Sequence, residues 1–413
     1  MTGSLGQALT DSRPAGRLSV SGPARRSPAD GAADVVLTLA WETWADIHRR
    51  EFAFSVDRLF AHLYASNRVN RLLLVDPWRS TLVRRARRML GRPPGVSFPA
   101  DAGTSHLTPM RARRADPAEP GDVAAEYQRY DGLVARAVRD HGLRDPVLIA
   151  THPFHAAAAR QDHWRRRIYY GWDDFASYAP HARWHEAIRD SYRRISEHAL
   201  PVAAVTPAII RTIDPRGPGL VLPNGVEPAE WSSPGPVPPW FAALAHPILL
   251  YTGTLGQRLD LDALIALAEA NPKGSVVLVG HCADPSYLAP LLRHRNVHVR
   301  GLHSRAAVVA MTAAADVCLL PHVPSPLTEA MSPLKLFEYL AAGRPVVASD
   351  LEPVRALGRE VRIARDAAQF VDQVARAIDE PAVPPSARAD FIAHNSWSRR
   401  FDELLTFALG SDT

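Results

Sequence analysis

Short apolar runs alternate with longer helical patterns along most of this 413-residue chain, and this alternation limits the folds open to it. Four runs in the first half lie at residues 35–39, 71–75, 146–150 and 202–205. Apolar runs of this length between helical segments are typical of parallel strands that are buried on both faces. The first half is therefore predicted to form an α/β domain with a doubly wound parallel sheet.

A proline-rich segment at residues 232–246 separates this series from a second one. We place a linker there, because prolines interrupt both helices and strands. The two predicted Rossmann-like domains then span residues 34–231 and 247–385, and each is expected to bind ligands beyond the carboxyl ends of its strands. The runs of the second series lie at residues 248–251, 276–279, 297–300, 317–320 and 346–348.

The two ends of the chain lie outside these domains. Residues 1–33 are rich in Gly, Ala, Ser, Pro and Arg without periodicity, and we predict that they form a disordered tail. Residues 386–413 contain one further amphipathic helix, which is predicted to end near residue 408.

The composition argues against several classes of protein. Two cysteines, Cys282 and Cys318, are too few for a disulfide scaffold. No stretch approaches the roughly 20 apolar residues that cross a bilayer, and the N-terminus lacks the apolar core of a signal peptide. We therefore expect a cytoplasmic location, with peripheral attachment to the inner face of the plasma membrane as an open alternative.

The segment that begins at Ser332 carries the clearest sign of a binding site. Ser332 is predicted to cap a helix, with Pro333 at its first position, where a missing N–H costs nothing. The N–H groups of Leu334 and Lys335 would then favour an anion. Glu338 shares a face with Lys335. A cation beside free N–H groups suits a diphosphate, and a carboxylate suits sugar hydroxyls, so the segment indicates a nucleotide-sugar site. The alternative is a surface ion pair on an ordinary helix.

A second candidate is the glycine-containing loop that follows the strand at 248–251. Gly253, Thr254 and Gly256 would let backbone N–H groups approach a phosphate or a sugar. Arg258 could pair with the diphosphate through its planar guanidinium group. The alternative is an ordinary turn from strand to helix with a surface arginine.

Two histidines follow the strand at 146–150, where a parallel sheet binds its ligands. A neutral imidazole at His152 could hydrogen-bond a sugar hydroxyl or stabilise developing charge, and His155 is a weaker candidate. The alternative for both is a histidine at a helix start with no role in chemistry.

A pair of adjacent carboxylates at Asp173 and Asp174 could supply a base for an acceptor hydroxyl or a metal ligand. Either could equally cap a helix, and we favour a structural or acceptor-loop role. No metal site is predicted.

Arginines are concentrated in the first domain. Such residues, interleaved with apolar ones, can bind an anionic membrane surface, or they can form a solvated helix face. No known nucleic-acid-binding motif accompanies them, so no nucleic-acid partner is expected. The arginines in question are Arg84, Arg85, Arg87, Arg88, Arg92, Arg111, Arg113, Arg114, Arg165, Arg166 and Arg167.

The segment at residues 332–348 resembles the donor site of retaining glycosyltransferases of the GT-B fold, family four. The sequence pattern Pro-x-Lys-x-x-Glu-Tyr-Leu-Ala-x-Gly is common in a bacterial subgroup of this family that makes cell-surface polysaccharides. The resemblance extends over about residues 34–408, because other landmarks of the family occur in the expected order at residues 169–174, 205–207, 221–227 and 250–255.

The resemblance implies two Rossmann-like domains that face a cleft near residues 152–155, 253–258 and 332–338, with the C-terminal helix crossing back to the first domain. In this family the helix glutamate, here Glu338, holds the ribose of the donor. The family's second glutamate lies eight positions earlier, where this chain has Ala330. The predicted catalytic residues are His152, Arg258 and Lys335, and the predicted donor-binding residues are Gly253, Thr254, Gly256, Arg258, Leu334, Lys335 and Glu338.

The resemblance further implies the reaction. A sugar would pass, with retention, from a UDP- or GDP-linked donor to a hydroxyl of a glycan or lipid-linked acceptor in cell-surface polysaccharide biosynthesis. Neither a metal nor another cofactor is expected. Two alternatives stay open, a nucleotide-sugar epimerase of the same fold and a non-catalytic partner protein that has lost turnover.

Overall fold

The computed structural model describes residues 26–90, 96–282, 284–380 and 383–410, and they form two compact units. The N-terminal unit contains residues 26–223 together with the last helix, and the C-terminal unit contains Asn224–Ser396. Most of the predicted disordered tail, residues 1–25, lies outside the described residues. The tail's last predicted residue, Ala33, already begins the first strand.

A parallel seven-stranded sheet forms the centre of the N-terminal unit, in the order β4-β2-β1-β6-β7-β8-β9, and β3 and β5 pair separately. The strands are β1 (Ala33–Thr38), β2 (Val69–Val75), β3 (Arg79–Ser80), β4 (Thr104–Leu107), β5 (Met110–Arg111), β6 (Val147–Ala150), β7 (Arg166–Gly171), β8 (Val202–Ala204) and β9 (Gly219–Val221).

Apolar residues hold this sheet in register. Val36 of β1 lies between Leu73 of β2 and Leu148 of β6, and all three side chains are fully buried. The strand order reverses between β1 and β6, which makes the gap beyond their carboxyl ends the expected ligand position. The helices around the sheet are α1 (Trp44–Arg49), α2 (Ser55–Ala65), α3 (Thr81–Met89), α4 (Pro120–Asp140), α5 (Pro153–Ala158), α6 (His185–Glu197) and α7 (Pro207–Ile213).

The C-terminal unit contains a parallel six-stranded sheet in the order β12-β11-β10-β13-β14-β15. This order reverses between β10 and β13, so the second ligand position is expected beyond those two strands. The strands are β10 (Ile248–Thr252), β11 (Ser275–Val279), β12 (Val297–Arg300), β13 (Val317–Leu320), β14 (Val346–Ser349) and β15 (Arg362–Ala364).

Helices cover both faces of this second sheet, as buried parallel strands require. They are α8 (Pro228–Ser232), α9 (Pro239–Ala242), α10 (Leu261–Ala270), α11 (Arg305–Ala314), α12 (Pro326–Ala330), α13 (Leu334–Ala341), α14 (Glu352–Arg355), α15 (Ala367–Ile378) and α16 (Pro385–His394), and the chain ends with α17 (Trp397–Leu409).

The C-terminal segment differs from the single helix that the sequence predicts. Residues 386–408 form two helices, because the backbone leaves α16 to pair with Val226. The N–H of Val226 donates to the carbonyl of Asn395, 2.8 Å away. The second helix, α17, belongs to the N-terminal unit, where it buries Phe401 and packs on α2, β6 and β7.

The prediction of two doubly wound α/β domains is confirmed by these sheets. The two units divide between Pro223 and Asn224, ahead of the proline-rich segment at 232–246, which contains α9. Within the parts of the chain that the structure describes, no helix has the length and apolarity that crossing a membrane requires.

Candidate functional site

The glycine-containing loop lies at the reversal point of the C-terminal sheet. It follows β10 and contacts the segment that follows β13, where the N–H of Val323 donates to the carbonyl of Arg258 at 2.8 Å. The N–H of Asp260 donates to the carbonyl of Pro321 at the same distance. These bonds fix the loop at the place where an open α/β sheet binds ligands.

Gly253 is the residue in this loop for which glycine is required. Its φ angle is +137°, and a Cβ atom would lie 1.9 Å from Cε of Lys335. Gly280, at the end of β11, has a φ of +152°, and a Cβ there would lie 1.8 Å from the Gly253 carbonyl oxygen. The two glycines therefore let the ends of β10 and β11 approach each other and leave room for the lysine side chain. Gly280 was not among the predicted site residues, although this glycine directly follows the apolar run at 276–279.

Lys335 and Arg258 bring positive charge to this loop. The Nζ atom of Lys335 lies 5.7 Å from the centre of the Tyr251 ring. Burial and the nearby Arg258 guanidinium lower the pKa of Lys335 to about 8, while Glu338 opposes that change. The residue as a whole is half-buried, and its ammonium group is desolvated. A desolvated ammonium beside a guanidinium is a strong site for an anion.

A histidine that the sequence analysis missed lies beneath these cations. His322 follows β13, is fully buried, and has Nε2 at 3.3 Å from the Tyr251 hydroxyl. Burial, and then the charges of Lys335 and Arg258, hold the pKa of His322 well below its ordinary value. The imidazole is therefore neutral and adds no charge to the site. A lone histidine after an apolar run gave no sequence signal for this position.

Helix α13 begins one residue later than the sequence predicts. Pro333 is the N-cap and Leu334 is the first helical residue, so the assignment of Ser332 as the cap is wrong. The Ser332 hydroxyl instead accepts a hydrogen bond from the N–H of Asn224 at 3.2 Å, and its carbonyl accepts one from Asn224 Nδ2 at 2.7 Å. The helix ends as expected, with Gly343 at a φ of +70° beyond its last turn.

Glu338 lies on α13 and is held by a buried ion pair that the sequence analysis did not foresee. Its Oε1 atom is 2.5 Å from a guanidinium nitrogen of Arg305, and the residue is 6 % exposed. Arg305 also donates to Glu230 at 2.7 and 3.0 Å and lies over the Trp231 ring. Arg305 begins α11 and Glu230 lies on α8, so only the tertiary fold brings the three together.

The remaining predicted donor residues lie around the same loop. Thr254 is exposed, and its carbonyl accepts a hydrogen bond from the Tyr251 hydroxyl at 3.2 Å. Leu334 is half-exposed at the start of α13. Gly256 is half-exposed and has open space where a Cβ would lie, so no packing at this position demands glycine.

The structure also shows the surroundings of Ala330, which occupies the position of the family's second glutamate. Ala330 ends α12 and is buried, and the neighbouring Glu329 accepts a hydrogen bond from the N–H of Glu352 at 2.7 Å. The Glu329 carboxylate thus supports the start of α14 and does not replace the glutamate that Ala330 lacks.

His152 lies at the reversal point of the N-terminal sheet, after β6, and is 1 % exposed. Its Nδ1 atom accepts a hydrogen bond from the N–H of Phe154 at 3.3 Å, so Nε2 carries the proton and lies 2.8 Å from the Tyr127 hydroxyl. Burial, with nearby positive groups, keeps its pKa well below the ordinary value. The imidazole is neutral, as expected, but both nitrogens have partners within the unit. A contact between His152 and a sugar stays a prediction.

His155 has a structural role. Its Nδ1 atom lies 3.0 Å from the Thr38 hydroxyl and its Nε2 atom 3.1 Å from Asp131 Oδ1. The fully buried Asp131 carboxylate also accepts hydrogen bonds from the indole of Trp164 and from the backbone N–H of Arg160, each at 3.1 Å. This carboxylate fastens α5 and the segment at residues 160–164, which precedes β7, to α4. The pattern of the sequence gave no sign of it.

Asp173 and Asp174 form a turn after β7. Asp174 is buried and accepts a hydrogen bond from the N–H of Ala176 at 3.2 Å, and Asp173 accepts one from the N–H of Asp174 at 2.9 Å. Such local bonds are typical of a turn, in keeping with the structural role that we favoured for the pair.

The predicted arginine surface separates into distinct parts. Arg111 pairs with Asp116 at 2.7 Å and Glu126 at 3.2 Å, so it is not a free surface cation. Arg113 and Arg114 are exposed near the start of α3, whereas residues 165–167 lie at the amino end of β7. Arg92 lies outside the described residues, as do the side chains of Arg87 and Arg88.

Two doubly wound parallel α/β units, the second with a lysine, an arginine and a carboxylate around a glycine-containing loop at its sheet reversal point, are the features expected of the GT-B fold. Comparison with known proteins agrees. Residues 246–380 match the family model described as glycosyl transferases group 1, so the resemblance is confirmed over this segment.

One curated relative is a Bacillus subtilis (strain 168) protein named as a teichuronic acid biosynthesis glycosyltransferase. The two are 35% identical over 107 residues, which are 25% of this chain and 27% of the relative's length. The chain thus matches about a quarter of that relative.

Solved structures match over nearly the whole chain. An α,α-trehalose 6-phosphate synthase from Burkholderia multivorans gives a TM-score of 0.64 at 13% identity, covering 92% of this chain and 98% of the synthase. An Escherichia coli trehalose-6-phosphate protein bound with UDP-2-fluoro glucose gives 0.64 at 12% identity, covering 92% and 100%. At these identities the similarity establishes the fold.

Proposed function

We propose that this protein is a glycosyltransferase that moves a sugar from a nucleoside diphosphate sugar to a hydroxyl group of an acceptor. One observation carries the proposal. Lys335 fills the space left by Gly253 at the reversal point of the C-terminal sheet, with Arg258 close enough to lower its pKa. The match of residues 246–380 to group 1 glycosyltransferases supports the same reading.

The proposed mechanism assigns a task to each side chain. Lys335, as the ammonium ion, and Arg258 stabilise the charge that develops on the diphosphate as it leaves. The first N–H groups of α13, at Leu334 and Lys335, add partial positive charge. Glu338 accepts hydrogen bonds from the ribose hydroxyls. Contact of His152 with the donor sugar is part of the proposal, as is retention at the anomeric carbon.

The substrates are proposed by chemistry and by similarity. A UDP- or GDP-linked sugar is the proposed donor, and a UDP sugar analogue is bound in one protein of the same fold. A glycan or lipid-linked hydroxyl is the proposed acceptor. The name of the Bacillus subtilis relative points to cell-surface polysaccharide synthesis. No metal ion or other cofactor is included in the proposal.

An assay of the purified full chain with nucleotide sugars and a mixture of glycan and lipid-linked acceptors tests this proposal. A transferase releases nucleoside diphosphate and forms a new glycosidic bond. An epimerase converts the nucleotide sugar without any acceptor. A non-catalytic partner protein binds the nucleotide without turnover. Ala330, at the position of the family's second glutamate, is the feature that favours the non-catalytic partner as the second candidate function.

The lysine in the site predicts a pH dependence. Because the pKa of Lys335 is about 8, its positive charge is present below that pH and is lost above it. Affinity for a nucleoside diphosphate should therefore fall by up to about tenfold between pH 8 and pH 9. Titration calorimetry from pH 7 to 9 measures this, with Lys335→Arg as the control that keeps its charge. A flat profile for the wild type would contradict the role of Lys335.

Peripheral membrane attachment is a separate proposal that α3 supports. Leu82, Met89 and Leu90, on α3 and directly after it, are 62%, 82% and 72% exposed. Arg84 and Arg85 of the same helix are exposed as well. A helix with exposed apolar and basic side chains suits an anionic membrane surface.

Vesicle binding tests this second proposal. The protein should sediment with anionic vesicles, and raised salt should release it. Arg84→Gln/Arg85→Gln should weaken that binding about tenfold or more, since each arginine near such a surface contributes about 1 kcal/mol. The charge-matched control is Arg136→Gln/Arg139→Gln on the exposed face of α4. Equal recovery with neutral and anionic vesicles would reject membrane attachment and leave the transferase proposal intact.

A further inference from the structure

A basic groove lies at the amino ends of strands β7, β8 and β9, at the opposite edge of the N-terminal sheet from His152. Two adjoining cavities of about 490 and 230 Å³ form it, and they share Gln161, Arg167 and His198. Pro201 and Pro218, directly before β8 and β9, line the smaller cavity. The groove is thus separate from the edge where a parallel sheet binds its substrates.

Positive charge dominates the lining of this groove. Among the described residues, the lining contains five arginines and one carboxylate, Asp162. Asp162 already forms a bidentate ion pair with Arg160. After burial, the nearby Arg167 and Arg194 guanidinium groups are the main causes that lower the pKa of His198. The lining arginines are Arg160, Arg165, Arg166, Arg167 and Arg194.

Some of these arginines are fixed and others have no anionic partner. Arg167 donates to the carbonyl of Ala159 and, at 3.0 Å, to the side chain of Gln161. Within the described parts of the chain, Arg165, Arg166 and Arg194 form no ion pair, and Arg194 is half-buried. A partly buried guanidinium without an acceptor is costly unless a ligand supplies one.

We infer that this groove is a binding site for a soluble anion that carries two or more phosphate or carboxylate groups. Guanidinium forks match the paired oxygens of both groups. The volume of the larger cavity lies within the range of about 300–1,000 Å³ that is typical of small-molecule sites. The large exposed apolar side chains that suit a membrane surface are found on α3 and not along this groove. The inference does not depend on the proposed transfer reaction.

Binding of two soluble probes to the full chain tests the inference. Tripolyphosphate presents the phosphates alone, and an oligogalacturonide of about six residues presents carboxylates on a saccharide. The test variant is Arg165→Gln/Arg194→Gln, because these two side chains reach the groove without supporting the fold through ion pairs. We expect it to lose about tenfold or more in affinity for at least one probe. Preference for the oligogalacturonide would identify the ligand as an anionic glycan, and preference for tripolyphosphate would identify a phosphorylated compound.

Two other double variants serve as controls, Arg136→Gln/Arg139→Gln and Arg84→Gln/Arg85→Gln. Both remove the same charge elsewhere on the N-terminal unit and should change probe affinity by less than about twofold. The inference is overturned if the wild type binds neither probe, or if all three variants lose affinity equally. It is also overturned if the groove variant loses only its binding to anionic vesicles, which would make the groove a lipid contact. Thermal unfolding of each variant verifies that it is folded.

Discussion

Glu338→Gln should weaken the binding of a nucleoside diphosphate by about one to two orders of magnitude. The carboxylate is proposed to accept two hydrogen bonds from the ribose, and a charge-assisted bond of this kind contributes roughly 1.5–3 kcal/mol. Glutamine keeps the shape but loses the charge and replaces one acceptor with a donor. Titration calorimetry with the preferred nucleotide measures the effect.

A matched control separates the ribose contact from the ion pair beside it. Arg305 contacts Glu338 at 2.5 Å and Glu230 at 2.7 Å, so Glu230→Gln disturbs the same arginine from the other side. If Glu338 binds the ribose, Glu230→Gln should retain most of the affinity. Equal losses in both variants would show that the arginine network, and not a direct contact, supports the site. Unchanged affinity in a folded Glu338→Gln protein would remove the ribose role.

Asp131→Asn should cost the N-terminal unit about 3–5 kcal/mol of unfolding free energy, the range found when one partner of a buried charged network is lost. Burial alone would raise the pKa of this carboxyl, but the hydrogen bond from His155, together with its other donors, holds the pKa below its usual value. The carboxylate Oδ1 accepts from His155 and Trp164, and Oδ2 accepts from the N–H of Arg160 and lies 2.6 Å from Nδ1 of His163. An asparagine amide nitrogen at either oxygen would face an N–H that can only donate, from Trp164 or from Arg160. Calorimetry should show a midpoint lower by roughly 10 °C.

An exposed aspartate in the same region provides the control. Asp162 is 61% exposed and pairs with Arg160 in water, so Asp162→Asn should leave the melting midpoint almost unchanged. The wild type should also lose part of the Asp131 contribution as the pH falls below the ordinary pKa of aspartate, near 4, because the folded-state pKa is lowered. A loss for Asp131→Asn no greater than that for Asp162→Asn would contradict the structural role of Asp131.

The fold could be predicted from the sequence because buried parallel strands leave a strong local signal. The run at 248–251 became β10 (Ile248–Thr252), and that at 276–279 became β11 (Ser275–Val279). The signal failed where pairing over a long distance decides the structure. Helix α16 ends before Asn395, whose carbonyl accepts a hydrogen bond from the N–H of Val226. No sequence pattern near residue 395 predicts this distant partner.

In the candidate site, too, residues in local segments could be predicted and residues that distant contacts bring in could not. Gly253, Lys335 and Glu338 lie in one unit near the reversal point of its sheet, and each belongs to a recognisable local segment. Arg305 and Glu230 fix the Glu338 carboxylate, yet they lie 33 and 108 positions away from it in the chain. Such contacts depend on how helices pack and leave no local pattern.

The helix cap shows how a local rule can be overridden. Ser332 has the residue type and the position of a helix cap. Its hydroxyl and its carbonyl instead accept hydrogen bonds from Asn224. The helix then begins after Pro333, whose side chain offers no cap. The N–H groups at the start of α13 keep their place in the sequence, so this shift by one residue leaves the proposed anion site unchanged.

A thermal-shift screen of the full chain against the common nucleoside diphosphates tests the central claim most directly, because a ligand that binds only the folded state raises its stability. At a ligand concentration about 100 times the dissociation constant, the gain is about 2.7 kcal/mol, which should raise the melting temperature by about 5 °C or more. We expect such a shift with UDP or GDP, and its reduction to about half or less at the same ligand concentration in Glu338→Gln, because a ten- to hundredfold weaker affinity leaves a gain of only about 0.4–1.4 kcal/mol. The absence of any shift with every nucleoside diphosphate, in a protein that melts cooperatively, would contradict a nucleotide-sugar donor site.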